Sequence, residues 1–413
     1  PSIRERMEAR LALIEVARIS GQNDTAQVVC DEALAELTDD DALPRLRVRR
    51  MVLQLQLLQS RNLEGLLAES RSLLELAREL GAAEESILIL SGISDAHTRL
   101  SERVQAEAEA RAATAEAERL GDSTLIADSR LRLGAALLER APREALVEFE
   151  AARMGFQERG NQYGVIRCLI NSGIAESRLG AAAAAERCYI EAGRSAAHAH
   201  VPDLGALAAL NLGVLYQKTG EFDRAQAEYA SAQRMFAKVH NEARRLAAMY
   251  NAANLAREQG DVAAALEMYE RAHSLAAELA IVDIEVGALA GAGLAALAMG
   301  HLDQALMSRS RADELSAALG DRWYQGRELL EALEVRYLLL TDRTALATAA
   351  FERATALAAS IDEFAVLWLL AECGPALVRA GATHFADSLQ LAYLRATELG
   401  YRPLAARLAA PVR

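Results

Sequence analysis

The sequence has 413 residues, of which 52% are hydrophobic but only 5% aromatic, and alanine and leucine supply much of the apolar content. Both residues are strong helix formers and alternating β-branched runs are missing, so the composition favours close-packed helices over sheets. The net charge of −13 makes nucleic acid a poor partner, and no segment resembles a membrane span or a signal peptide, which predicts a cytoplasmic protein.

Glycines recur along the chain in two series, each with a spacing of about forty residues. Glycine is favoured just past the end of a helix, where the backbone turns left-handed. Two interleaved series therefore predict two helices per repeat, each of about 17 residues, and about ten repeats in the chain. The first series contains Gly180, Gly220, Gly260 and Gly300, and the second contains Gly81, Gly121, Gly160, Gly320 and Gly400.

The quality of the repeat changes along the chain. The second repeat departs most from the pattern, with Leu66, Ser70 and Leu73 in the places where small residues are expected. The pattern is best formed over residues 165–320 and fades afterwards. The tail, residues 401–413, is expected to form a C-terminal cap.

One repeat in the middle of the chain carries the pattern of a known family. Its positions are Leu212, Gly213 and Tyr216 in the first helix and Ala225, Tyr229 and Ala232 in the second. This pattern resembles the tetratricopeptide repeat (TPR), in the long, forty-residue form found in bacterial signalling regulators. The resemblance implies an all-α fold, a right-handed α-solenoid superhelix of about ten helix-turn-helix repeats that forms a single domain over residues 1–413. It also implies that the first helix of each pair lines a concave groove.

Three asparagines, Asn171, Asn211 and Asn251, stand at the same place in the first helices of consecutive repeats. Asparagine is a mediocre helix residue, so helix propensity does not explain this register. Each amide offers a donor and an acceptor, which together can pair with the backbone of a bound peptide. In proteins that this chain resembles, such asparagine series bind partner peptides. The alternative is that these side chains join neighbouring helices or are solvated remnants of repeat duplication.

Further side chains are expected beside the asparagines on the wall of the groove. The polar ones are Arg167, Arg178, Lys218, Asn254 and Arg257, and the apolar ones are Ile170, Leu210 and Tyr250. A mildly basic, amide-lined channel in an acidic protein predicts an extended peptide with acidic side chains or a free carboxylate as the ligand.

Catalytic and cofactor motifs are missing from the sequence. It has no glycine-rich phosphate loop, no HExxH and no GxSxG, so neither an enzyme nor a bound metal or cofactor is expected. Four aromatic residues of the late repeats are interpreted as packing between repeats, with a second contact surface as the alternative. They are Trp323, Tyr324, Phe364 and Trp368.

These patterns predict a protein–protein interaction scaffold or adaptor that holds an extended peptide of a partner in the groove. The alternative is the sensory or regulatory TPR portion of a bacterial signalling or transcription regulator whose effector domain lies outside this chain. Neither nucleic acid nor a membrane is expected as a partner. The identity of the partner and the oligomeric state stay open, as does whether another protein or the chain itself occupies the groove.

Overall fold

The computed structural model describes residues 3–19, 23–38, 40–58, 63–100, 102–320, 324, 326–359 and 363–409. These residues form 21 α-helices and one short 3₁₀ helix, and they contain no β-strand. The α-helices are α1 (Ile3–Ile19), α2 (Asn23–Glu36), α3 (Ala42–Leu58), α4 (Leu63–Glu79), α5 (Ala83–Arg99), α6 (Arg103–Leu120), α7 (Ser123–Leu137), α8 (Pro142–Glu158), α9 (Gln162–Arg178), α10 (Ala182–His198), α11 (Pro202–Thr219), α12 (Phe222–Lys238), α13 (Glu242–Glu258), α14 (Val262–Leu279), α15 (Val282–Ala298), α16 (Leu302–Ser316), α17 (Arg327–Leu340), α18 (Thr344–Ala359), α19 (Glu363–Arg379), α20 (Ala386–Glu398) and α21 (Arg402–Ala409).

The helices follow the predicted order of two per repeat. The first twenty α-helices make ten successive pairs, and α21 follows them. That the tail caps the array stays a prediction. All nine glycines of the two series have positive φ values, between 63° and 84°, and they lie within four residues of the end of a helix. Where the periods lack a glycine, other residues take the same left-handed conformation, namely His200, His240, Ala280 and Asp342. The prediction of an all-α solenoid of about ten helix pairs is confirmed.

The chain divides into two compact units, residues 1–175 and 176–413. The division falls inside α9, close to its end. Each unit is described by itself, and the expectation that all the repeats form a single domain stays a prediction.

The first unit contains a buried ion pair between two of its first helices. The carboxylate of Glu85 on α5 is buried and accepts hydrogen bonds from Nε of Arg47 at 3.0 Å and from Nε of Arg50 at 2.7 Å, both on α3. A buried carboxylate is costly unless it is paired, so this contact fixes the position of α3 against α5.

In the second unit, tyrosine rings fill the space above glycines on facing helices. A methyl group added at Gly213 would lie 2.5 Å from Cε1 of Tyr229, and one at Gly291 would lie 2.4 Å from Cε1 of Tyr269. Such distances are far below van der Waals contact, so only glycine fits at these two positions. Small residues therefore allow the close approach of the helices within a pair at Gly213, as the sequence pattern predicts, and between successive pairs at Gly291.

Two of the four late aromatic residues belong to the core of the second unit. Trp368 on α19 and Tyr324 before α17 are buried, which confirms their interpretation as packing residues. Phe364 is half-buried and packs edge-on against the ring of Tyr401, and Trp323 lies outside the described residues. Among the helices that the structure describes, none is long and apolar enough to cross a membrane.

Candidate binding site on the first helices of the second unit

The first helices of the second unit form a closed succession of contacts. Helices α11, α13, α15, α17 and α19 each pack against the next in that order. Helix α21 then contacts both α19 and α11, so that the series returns to its start. The space between these six helices, here called the central space, is therefore bounded on one side by the C-terminal segment of the same chain.

Glycine turns give the C-terminal segment room to approach. A methyl group added at Gly180 would lie 3.1 Å from Cα of Leu399, which precedes α21. One added at Gly220, just past α11, would lie 3.5 Å from Cγ of Pro403 in α21. The same glycines that end the helices of the repeats thus form the surface on which the C-terminal segment rests.

Lys218 on α11 is in contact with this C-terminal segment. Its Nζ lies 4.3 Å from the centroid of the Phe364 ring and 5.4 Å from that of the Tyr401 ring. These distances are within the range of cation–π attraction, which is worth about 0.5–2 kcal/mol. One of the basic side chains expected to meet a partner is therefore already placed against aromatic rings of its own chain.

Arg257 on α13 reaches across the central space to Glu372 on α19. Its Nη1 donates to Oε2 of Glu372 at 3.2 Å, and Arg407 on α21 donates to the same oxygen. No Cα atom of α13 lies within 8 Å of one of α19 in the described residues of the two helices, so long side chains span the gap. The guanidinium carbons of Arg257 and Arg407 also lie 5.3 and 5.9 Å from the centroid of the Trp368 ring.

The charges around Glu372 decide its ionisation. Burial by itself would raise the pKa of this carboxyl, but the positive charges of Arg257, Arg407 and Arg336 outweigh burial and lower the pKa to about 2. Glu372 is therefore ionised at neutral pH and neutralises the arginines that surround it.

The three asparagines lie at the tenth position of their helices, in the register that the sequence predicts. In the second unit, Nδ2 of Asn211 donates to the carbonyl of Leu207 at 2.9 Å, one turn back on α11. Asn251 is half-buried, and its amide makes no hydrogen bond to any residue that the structure describes. Asn171 is equally half-buried and unpaired within the described chain, but it belongs to the first unit.

Two further basic residues of the predicted site stand on α9. Arg167, in the first unit, lies 3.7 Å from Asp128, and its guanidinium carbon lies 6.0 Å from the centroid of the Tyr163 ring. Arg178, in the second unit, is half-buried near the end of the helix. Their place in a binding site stays a prediction.

The apolar residues expected on the groove wall are instead core residues. Ile170, Leu210 and Tyr250 are all buried, so they cannot present a surface to a partner in this structure. Asn254 also has a structural partner, because its Oδ1 accepts a hydrogen bond of 2.6 Å from the hydroxyl of Tyr269. The expectation that Ile170, Leu210 and Tyr250 contact a peptide is corrected, because their side chains are buried in the packing between helices. Asn254 is half-buried, and its place in a binding site stays a prediction.

The sequence patterns missed the acidic and basic residues that the C-terminal helices bring to the central space. Glu372, Arg336, Arg379 and Arg407 lie outside the best-formed repeats, and none is in register with the asparagines. The contact between Arg257 and Glu372 joins residues 115 apart in sequence. A periodic pattern relates each repeat to its neighbours, so it carries no signal for such a contact.

Comparison with known proteins supports the repeat assignment. The sequence profile described as "Tetratricopeptide repeat" matches residues 205–278. This segment contains tetratricopeptide repeats. The matched TPR segment covers most of α11 to α14, which includes Asn211 and Asn251. A search of curated proteins found no matching sequence.

Solved TPR structures share the fold of this chain at low sequence identity. A Rap protein complexed with competence and sporulation factor has a TM-score of 0.57 at 13% identity, covering 92% of this chain and 99% of that one. The apo form of the quorum sensor NprR from B. thuringiensis has a TM-score of 0.52 at 13% identity, covering 85% of this chain and 98% of that one. A signal transduction ATPase with a tetratricopeptide repeat sensor, from Pyrococcus horikoshii, has a TM-score of 0.53 at 15% identity, covering 74% of this chain and 47% of that one. The chain thus resembles these regulators in its fold, and at such low identity the likeness shows the fold alone.

Proposed function

We propose that this protein is a non-catalytic adaptor that binds an extended peptide segment of a partner protein. The peptide lies along the first helices of the second unit, where Asn211 and Asn251 pair with its backbone C=O and N–H groups. Asn171 holds the same place one repeat earlier, in the first unit, and is assigned the same type of contact there.

The unpaired amide of Asn251 is the observation that carries this proposal. A half-buried amide without a hydrogen bond in the described structure has two donors and an acceptor to offer to a partner. Asn211 uses one donor for a carbonyl of its own helix, which leaves its Oδ1 available as an acceptor. Two amides at equal positions of adjacent repeats can bind a peptide backbone without demanding its sequence.

Basic residues near the amides favour an acidic partner. Lys218 and Arg257 carry positive charge on α11 and α13, and Arg178 lies at the end of α9. A carboxylate of the partner competes with Glu372 for Arg257, because Glu372 already accepts a hydrogen bond from that side chain. The adaptor therefore selects partners that carry acidic groups able to reach both Arg257 and Lys218.

A peptide-display selection tests the proposal. We expect the native protein to enrich a set of related peptides and the double variant Asn211→Ala/Asn251→Ala to bind them roughly thirtyfold more weakly, since each amide contributes about 1 kcal/mol. Gln226→Ala is the matched control, because it removes an exposed amide from α12, a second helix. Circular dichroism checks that all variants stay helical. Equal binding by the native protein and the double variant would show that the asparagines take no part.

A sensory role is the second candidate, and the likeness to regulators of known structure favours it. The two roles differ in what binding does to the chain. A sensor must have two states with different affinity for the ligand, whereas an adaptor needs only one. Hydrogen exchange with and without a selected peptide separates them: altered protection in α19 and α21, away from the asparagines, identifies a sensor, and unchanged protection there identifies an adaptor.

A further inference from the structure

A cavity opens between four helices of the second unit. Its volume is about 360 Å³, which falls in the range of about 300–1,000 Å³ that small-molecule sites occupy. Helices α13, α17, α19 and α21 all contribute to its wall. The lining residues are Arg257, Glu258, Arg336, Ala371, Glu372, Pro375, Ala376, Arg379 and Arg407.

Positive charge dominates this cavity. Four arginines line it together with two glutamates, which leaves a surplus of two positive charges even when both carboxyls are ionised. Glu372 serves three of the arginines at once: Arg257 and Arg407 donate to its carboxylate, and Nη1 of Arg336 donates to its backbone carbonyl at 3.4 Å. One carboxylate cannot satisfy three guanidinium groups, since each of them has five N–H donors.

Two of the arginines have donors without a partner. Nε of Arg257 is buried and has no hydrogen bond, although the side chain is only 10% exposed. Arg379 is exposed at the opening and makes no hydrogen bond or ion pair with any residue that the structure describes. A nearly buried donor that lacks an acceptor is rare in folded proteins and calls for a ligand that supplies one.

We propose that this cavity binds a small molecule that carries at least two carboxylate or phosphate groups. Planar guanidinium groups match both oxyanions with paired hydrogen bonds, and the positive surplus requires more than one negative charge. The net charge of −13 of the chain disfavours nucleic acid as the ligand. The asparagines do not line the cavity, and Arg257 is the residue that it shares with the proposed peptide site. The inference therefore goes beyond the proposed peptide binding and does not rest on it.

Arg379→Gln is the decisive variant, because Arg379 makes no hydrogen bond or ion pair with the described residues that the substitution would remove. Binding of pyrophosphate and of citrate is measured by isothermal titration calorimetry at constant ionic strength and neutral pH. We expect saturable binding of at least one of them with a Kd below about 1 mM, and a weakening of about tenfold in the variant. The matched control is Arg271→Gln on α14, which removes one positive charge from a side chain that is 73% exposed.

The outcomes separate the two ligand chemistries. Tighter binding of pyrophosphate supports a ligand with phosphate groups, and tighter binding of citrate supports a polycarboxylate. Glu372→Gln gives a second test, since removal of the competing carboxylate should strengthen anion binding severalfold where the variant folds. The inference is overturned if neither anion binds saturably, or if Arg271→Gln weakens binding as much as Arg379→Gln does. Loss of peptide enrichment in the asparagine variants has no bearing on this result.

Discussion

Replacing Glu372 by glutamine removes the carboxylate that neutralises Arg257 and Arg407 within the second unit. The side chains of Arg257 and Glu372 are only 10% and 12% exposed. Loss of one partner leaves a buried charge uncompensated, which typically costs about 3–5 kcal/mol. For a unit of this size, that cost corresponds to a lowering of Tm by roughly 6–20 °C.

Tryptophan fluorescence during urea or thermal unfolding measures this effect, because both tryptophans of the sequence, Trp323 and Trp368, fall within residues 176–413. The control is Glu363→Gln on the same helix. Glu363 pairs with Arg395 at 2.7 Å, but the two side chains are 53% and 40% exposed, so the control should cost less than about 1 kcal/mol. Equal stabilities of the two variants would refute the assignment of Glu372 as a structural counter-ion.

The same substitution predicts a pH dependence with a definite sign. The pKa of Glu372 is lowered from 4.5 to about 2 in the folded protein, so its stabilising effect is fully present above about pH 4.5 and is lost as the pH falls toward 2. The lowering corresponds to about 3 kcal/mol, in agreement with the cost of breaking the pair. The difference in unfolding free energy between the native protein and Glu372→Gln should therefore be constant from pH 5 to 7 and shrink between about pH 4.5 and 2. A difference that stays constant through that range would contradict the lowered pKa.

Two further pairs of variants test packing and the role of the amides by the same unfolding assay. Gly291→Ala should destabilise the protein by about 1–3 kcal/mol because the methyl group collides with the Tyr269 ring, whereas Gly193→Ala, with no atom within 4 Å, should stabilise it by about 0.5–1 kcal/mol. Asn254→Ala should cost about 1–3 kcal/mol because the buried hydroxyl of Tyr269 loses its acceptor, while Asn251→Ala, which loses no hydrogen bond, should change stability by less than about 0.5 kcal/mol. The reverse order within either pair would show that the contacts are assigned wrongly.

The repeat architecture was predictable because its signals are local. A left-handed residue must end each helix, and glycine adopts that conformation at least cost, so the positions of Gly220 and Gly260 report directly on two turns. Close packing of a pair needs a small residue opposite a ring, as Gly213 and Tyr229 demonstrate. Both requirements act within one repeat, and the spacing of about forty residues copies them along the chain.

The binding face was only partly predictable, since helical spacing does not distinguish residues that line the groove from residues buried between helices. Tyr250 and Asn251 are adjacent in sequence, yet the tyrosine is buried and the amide is half-buried. A rotation of about 100° per residue separates them, which is within the error of a face assigned from register alone. The contact of α21 with α11, which closes the series of first helices, was not predictable at all. It depends on the rotation that accumulates over several repeats.

Arg257 takes part both in the contact with Glu372 across the central space and in the proposed binding of acidic groups. Any partner carboxylate that binds Arg257 must compete with Glu372, which already accepts a hydrogen bond from that side chain, and this competition weakens binding of the partner unless new contacts offset it. Arg379 carries no such penalty, because it has no partner among the described residues. An anion should therefore engage Arg379 first, and it should reach Arg257 only if it also supplies the negative charge that Glu372 gives up. Binding of the anion and release of Glu372 from Arg257 are then coupled. By linkage, a change that weakens the contact between Glu372 and Arg257 must strengthen the binding of the anion by the same factor.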